Sequence, residues 1–478
     1  MALGRIMGVG LALVLASAAT AQEVVTKQYD DGSVYEGTFK AGRQDGTGTY
    51  KLPNGFEYTG AWVAGEIKGQ GTAHYPNGSV FGGTFAKGKP EGKGKITFAD
   101  GGTYDGDWLD GAMTGQATAT YADKSVYVGA FVGGKHQGQG VMTEASKTSY
   151  DGDWVDGVKE GTGKITYADG TVYDGSFKAG QRDGAGKLTM ADGVTYDGAW
   201  VAGQIEGKGT LKQANGDVYV GQFKAGRRDG KGLVTYDNGD IYEGDFVADQ
   251  RQGQGAFTGH NGSKYAGSWM AGQMEGAGSM TYADGAVYDG SFKADQAEGS
   301  GKITYKDGSG YQGNWVAGEI SGKGRADYGG SQVYDGEFVA GKPDGTGVMT
   351  YPDGYKYEGT WKAGVREGEG VATYADGSVY KGHFTAGLRD GAGSLTMKDG
   401  FSYVGAWKAG VIEGAGVATY PGGAMYNGAF VAGQREGQGK LTHKKDQISE
   451  GIWKKGMLVA PIGADVGTST VMPAVSAN

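Results

Sequence analysis

The sequence predicts an all-β protein: an elongated, single-layer antiparallel sheet of stacked 23-residue β-hairpins. Three observations predict it. First, one motif recurs every 23 residues without insertion, from Tyr35-Glu36-Gly37-Thr38-Phe39 and Tyr58-Thr59-Gly60-Ala61-Trp62 to Ser449-Glu450-Gly451-Ile452-Trp453. A strict period of that length marks a stacked repeat array. Second, apolar residues inside the period alternate with a spacing of two, the strand spacing, not 3.6. Third, the apolar runs are separated by glycine and by Asp-Gly or Asn-Gly pairs such as Asn77-Gly78, Asp169-Gly170 and Asp353-Gly354. Those residues tolerate the positive φ of tight hairpin turns.

The elements follow in chain order. Residues 1–21 read as a secretory signal, with Arg5, an apolar run from Ile6 to Ala16, and Ala19-Thr20-Ala21 before a cleavage point at Gln22. The expectation is therefore a periplasmic or secreted protein. Residues 22–34 copy the second half of a repeat and read as a cap. Residues 35–448 hold eighteen repeats. Residues 449–460 read as a closing half-repeat, and 461–478 as a disordered tail outside the pattern. Lys444-Lys445-Asp446 replaces the usual turn, and Lys454 and Lys455 guard the last edge against sheet-to-sheet pairing.

Composition excludes several classes. The chain has 478 residues, 99 of them glycine and none cysteine, so disulfides and thiolate metal sites are absent. Its net charge is −9, and removing Arg5 makes it −10. An acidic chain without a Lys/Arg cluster argues against nucleic acid and against an electrostatic grip on a membrane.

Within a repeat, take its first tyrosine as position 0. Position 2 is always glycine, and positions 7, 11 and 13 nearly always are. A six-residue turn such as Ala41–Gly46 would pair position 6 with 11. That register sets Tyr58 against Tyr75, Tyr104 against Tyr121, Tyr288 against Tyr305, and Gly83 against Ile96. It also lays the position 4 rings beside glycines such as Gly71. Position 4 alternates Phe and Trp, restarting at Phe246 after Phe223, which suggests a duplicated nine-repeat block. Position 15 offsets the ring volume, with Ala73 in a Trp repeat and Ile96 in a Phe repeat. Lys124, Ser331 and the stretch Glu144–Thr148 break the turn between repeats.

The motif Tyr-x-Gly-x-Trp/Phe-x-x-Gly-x-x-x-Gly-x-Gly, repeated from about Val24 to Gly456, resembles the MORN repeat. The resemblance implies twisted hairpin sheets that act as scaffolds, dimerisation modules or membrane-contact modules. Any catalytic part would lie outside such repeats, so no enzyme activity and no cofactor are expected. The five histidines, His74, His136, His260, His383 and His443, share no repeat position, and Asp105-Gly106-Asp107 and Asp151-Gly152-Asp153 match no calcium loop. No metal site is expected.

The aromatic face is the candidate binding surface. It comprises Trp62, Trp108, Trp154, Trp200, Trp269, Trp315, Trp361, Trp407 and Trp453, with Tyr58, Tyr104, Tyr196, Tyr311 and Tyr403. Either twist buries these rings against one another, or some line a trough for a partner. The expected function is a non-enzymatic scaffold for protein–protein interaction or self-assembly in the cell envelope. The alternative is a carbohydrate (peptidoglycan or glucan) or membrane-surface module. The expected partner is an unknown protein or a second copy, paired through the C-terminal repeats near Ile452 and Trp453. Nineteen units at about 4.8 Å per strand give a rod of roughly 180 Å.

Overall fold

The tight turns decide the architecture. The computed structural model describes residues 23–444 and 447–462, and among these it forms thirty-nine strands and no α-helix. The signal segment, Lys445 and Asp446 of the atypical turn, and residues 463–478 of the tail lie outside the described residues. The first four strands set the pattern: β1 (Val25–Gln28), β2 (Val34–Lys40), β3 (Arg43–Lys51) and β4 (Glu57–Val63). Seven- and nine-residue strands then alternate.

Two compact units divide the chain: Met1–Gly216 with Gln222–Gly226, and Asp217–Gly221 with Arg227–Asn478. In each, consecutive strands pair antiparallel.

Each hairpin closes with two residues, not six. Ala41 (φ 52°) and Gly42 (φ 76°) form the tip, with Lys40 paired to Arg43. Positive φ at both central residues is the type I′ turn, whose twist matches that of the strands. The remaining residues of the expected turn belong to the strand. A β-bulge absorbs the mismatch: Gly37 pairs with Gly48, but Phe39 pairs with Gln44. Gly46, within the bulge, takes φ 98°.

Between repeats the chain turns through three residues. The Leu52 N–H donates to the Phe56 carbonyl at 2.8 Å, and Gly55 (φ 91°) takes the left-handed position. The expectation that Lys124 and Glu144–Thr148 break this turn is corrected: Lys124 (φ 73°) and Lys147 (φ 71°) take the left-handed position, and their N–H groups donate to the Tyr121 and Glu144 carbonyls at 2.9 Å. The turn at Ser331 does depart: Gly329, Gly330 and Ser331 all take positive φ, and the Gln332 N–H donates to the Gly329 carbonyl at 3.0 Å.

The tight tip shifts the register by two residues, so the expected rows are also corrected. Tyr58 pairs with Ala73, Tyr104 with Ala119, and Tyr288 with Ile303. Gly83 pairs with Gly94, and Trp62 with Gly46 and Ile67. Position 15 therefore lies between two successive position 0 rings, as Ala73 does between Tyr58 and Phe81, and not beside the position 4 ring. Tyr75, Tyr121 and Tyr305 leave the tyrosine row and stand at the turn between repeats.

This register explains the glycines at positions 2 and 13. They face each other, and the tyrosine ring lies flat over the pair. A Cβ on Gly37 or Gly48 would fall within the Tyr35 ring, and the same holds for Gly60 and Gly71 under Tyr58. The rings themselves form a continuous ladder. Tyr35 meets Phe39 edge-on at 5.1 Å and Trp62 at 5.2 Å; Tyr58 meets Trp62 at 5.7 Å and Phe85 at 5.0 Å. Edge-to-face pairs at this separation are the favoured aromatic geometry. The ladder is the hydrophobic core of each unit.

Candidate functional site: the aromatic face and its edges

The candidate rings are interior. Trp62, Trp108, Trp154, Trp200, Trp269, Trp315, Trp361, Trp407 and Trp453 are each at most 7% exposed, and Tyr58, Tyr104, Tyr196, Tyr311 and Tyr403 at most 3%. Their polar atoms are bound as well. Every indole N–H donates to the carbonyl of the position 13 glycine one repeat earlier, as Trp200 does to Gly186 at 3.0 Å and Trp453 to Gly439 at 2.8 Å. Each phenol donates to the carbonyl three residues on: Tyr58 to Ala61 at 3.0 Å, Tyr196 to Ala199 at 2.9 Å, Tyr403 to Ala406 at 3.0 Å. None of these rings offers a face for stacking a ligand. Nor is the strand at Ile452 and Trp453 the open edge, because Met457–Pro461 pairs with it.

Position 9 supplies the cover that sequence reasoning missed. Its side chain sits opposite the position 4 ring across the bulge, as Ile67 does to Trp62 and Ile412 to Trp407. Where it is arginine, the guanidinium stacks on the position 4 ring of the next repeat: Arg182 on Trp200 at 4.2 Å, Arg389 on Trp407 at 4.2 Å, Arg435 on Trp453 at 4.3 Å. Each then donates to the carbonyl of the next tip glycine, as Arg389 does to Gly410 at 2.8 Å. Packing over a ring combined with a charge-assisted hydrogen bond suits arginine. The position varies among Gln, Ala, Leu, Ile, Met, Pro, His, Lys and Arg, which hides its role in the sequence.

Position 10 is a second missed function. Its carboxylate or amide accepts the N–H of the following hairpin tip. Asp45 takes Ala64 at 3.1 Å, Glu298 takes Ala317 at 2.8 Å, and Glu413 takes Ala432 at 2.8 Å. The signal was present as the acidic residue that usually precedes the position 11 glycine.

Among the described residues no three His, Asp or Glu side chains are placed to hold a metal ion. His136 stacks on Tyr127 at 3.7 Å and meets the Tyr121 hydroxyl at 2.6 Å, and burial holds its imidazole below the ordinary histidine range. His260 pairs with Asp240 at 2.8 Å, and His383 meets the Asp390 carbonyl at 3.0 Å. A concavity of about 540 Å³ on the outward face is lined by Lys323, Asp335, Glu337, Glu358 and Glu369, with no histidine or activated nucleophile among them.

Two surfaces remain outside the core. One is the row of hairpin tips. In the second unit seven consecutive tips each carry an exposed apolar side chain: Val316, Val339, Val365, Leu388, Val411, Val431 and Met457. The other is the opposite edge, where position 17 places tyrosines at the turns between repeats.

Comparison with known proteins agrees with the repeat register. The family model described as MORN repeat matches eighteen times, from 35–56, 58–80 and 83–103 through 380–401, 403–425 and 426–445. No curated protein matches in sequence. Among solved structures, the chain is similar to the TCP10 domain of Danio rerio CPAP in complex with a STIL peptide. Identity is 14%, with 51% of this chain and 93% of that one covered and a TM-score of 0.24. It is also similar to the SAS-4 TCP domain of Drosophila melanogaster, at 12% identity, coverages of 46% and 99%, and a TM-score of 0.21. A streptogramin B lyase follows at 12%, 61% and 90%, and 0.11. Scores this low carry no argument.

Proposed function

The chain belongs to the MORN repeat family, and from that premise we propose that it is a non-enzymatic scaffold for protein–protein interaction or self-assembly in the cell envelope. MORN repeats in general are non-catalytic modules for protein interaction and membrane association. The observation that carries the reading is the apolar file at the hairpin tips. Seven neighbouring tips, from Val316 to Met457, expose a branched or long apolar side chain although the core is already closed by its own rings. Contiguous exposed apolar surface of this kind marks contact with another protein. Each tip is fixed to the one before by a backbone bond, as Gly387 N–H to the Arg366 carbonyl at 2.9 Å, so the file is rigid. Preorganised surface lowers the entropy cost of association.

The export reading rests on residues 1–21 and places the scaffold outside the cytoplasm. The self-assembly reading rests on the C-terminal repeats, where Met457, Val459 and Ile462 are exposed around the last strand. One set of measurements tests both. Multi-angle light scattering of the exported chain, and crosslinking in the envelope fraction, are compared with a variant carrying Val339→Thr, Leu388→Thr and Val431→Thr. The reading expects an oligomer or a discrete crosslinked partner that the variant loses while its circular dichroism is unchanged. A monomer with no crosslinked partner, or complexes identical in the variant, would contradict it.

A further inference from the structure

Position 17 carries tyrosine in five successive repeats of the second unit: Tyr282, Tyr305, Tyr328, Tyr351 and Tyr374. Each opens the turn between repeats, and its backbone N–H is held there. The Tyr282 N–H donates to the Ala286 carbonyl at 2.8 Å, and the Tyr305 N–H to that of Ser309 at 2.8 Å. In three other repeats the position 17 hydroxyl is used within the chain, on the position 9 residue fifteen places on. Tyr29 bonds Gln44 at 2.8 Å, Tyr121 meets His136 at 2.6 Å, and Tyr236 bonds Arg251 at 2.7 Å.

At Tyr282, Tyr305 and Tyr328 that partner is replaced by Ala297, Ile320 and Pro343, whose side chains cannot bond a phenol. The three hydroxyls find no partner among the described residues, and the three rings are 36%, 41% and 46% exposed. We propose that these three tyrosines form a stacking platform for an extended, uncharged β-1,4-linked glycan.

Spacing selects the ligand. By strand spacing, consecutive rings stand two strands apart, about 9.6 Å, within about 1 Å of the advance of one disaccharide along such a glycan. Every second sugar ring then meets the same tyrosine face in the same orientation. Charge selects it further. The turns of Tyr282 and Tyr305 carry the exposed carboxylates of Asp284 and Asp307, each engaged through Oδ1 alone, by the Ala286 N–H and by the Ser309 N–H and hydroxyl. The remaining oxygens accept from sugar hydroxyls, and a carboxylate edge on a chain of net charge −9 disfavours a polyanion. Stacking supplies area and the free phenols and carboxylates supply direction, the division of labour usual in sites with few polar groups. The inference goes beyond the scaffold reading and uses the opposite edge of the sheet.

The test is isothermal titration calorimetry of the full chain with β-1,4-linked N-acetylglucosamine hexasaccharide and with the β-1,4-glucose hexasaccharide. The α-1,4-glucose hexasaccharide, whose chain coils, is the geometric control. The expected result is binding of at least one β-linked hexasaccharide and none of the α-linked one. The variant Tyr282→Ala, Tyr305→Ala, Tyr328→Ala should lose affinity at least tenfold, and the matching Tyr→Phe triple should keep part of it. Gly259 and Met397 occupy the same position elsewhere, so the fold accommodates the loss of the ring. Whichever β-linked sugar binds identifies the source of the glycan. No binding of either β-linked sugar, equal binding of the α-linked one, or an unaffected triple variant would overturn the proposal. So would capture of a protein by these tyrosines without glycan binding. None of these outcomes touches the hairpin-tip interface, whose variants lie at other residues.

Discussion

Phe81 stands where its sister repeats have tyrosine, and it isolates the role of a single hydroxyl. Its ring keeps the ladder, meeting Phe85 at 5.0 Å and Trp108 at 5.0 Å, but the Thr84 carbonyl loses the donor that each sister phenol supplies. Restoring it with Phe81→Tyr should stabilise the local repeats by about 1 kcal/mol, and Tyr196→Phe should cost about the same. Urea denaturation of the two variants measures both. The same phenols predict an alkaline transition. Burial pushes Tyr58, Tyr104, Tyr196 and Tyr242 up to about 12, against about 10 in an unfolded chain. A raised phenol pKa favours the protonated folded state. Its contribution is therefore complete below pH 10 and is lost as pH rises from 10 to 12. Circular dichroism should be flat up to pH 10 and should collapse steeply above it, together with phenolate absorbance. Phenolate formation by more tyrosines than stand outside the ladder, with the fold intact, would contradict the burial of these rings.

At the scale of the hairpin, the staple between neighbouring tips decides how firmly repeats hold together. Glu298→Ala removes the acceptor of the Ala317 N–H, and the exposed, charge-assisted bond is worth about 1 kcal/mol. Hydrogen exchange at Ala317 should accelerate about fivefold while distant tips are unchanged. Position 10 is Lys68 in the second repeat, where the staple is missing; Lys68→Glu should protect the Lys87 amide. The glycine pairs are less forgiving. Gly198→Ala would place a methyl within the Tyr196 ring and against the Gly209 backbone. Overpacking a core in this way costs about 3 kcal/mol or more.

This scale is also where the sequence was readable and where it was not. Strand alternation, the glycine positions and the turn residues named the elements. Register stayed hidden, because the six residues from Ala41 to Gly46 close equally well on paper as a wide turn or as a two-residue tip plus a bulge. A pairing shift of two keeps every side chain on its face, so the face assignment of the rings survived the error. The arginine cover was illegible because Ile67, Met113, His136 and Arg182 share only reach, not chemistry. The tyrosines at position 17 were counted into the ladder, which concealed that they stand free at the edge.

Across the whole molecule, the aromatic residues fall into two populations. The ladder of positions 0 and 4 is core, and its indoles and phenols are bound to backbone carbonyls. Recognition falls to the hairpin tips on one edge and to the position 17 tyrosines on the other. All nine tryptophans belong to the ladder, so one spectroscopic probe reports on the division throughout the chain. Acrylamide quenching of tryptophan fluorescence in the intact protein tests it most directly. The account predicts blue-shifted emission with quenching far below that of free indole, unchanged when a glycan or protein partner binds. Emission like that of a solvated indole, efficient quenching, or protection of tryptophan by a ligand would show that the ladder is an open binding face and would contradict the central claim.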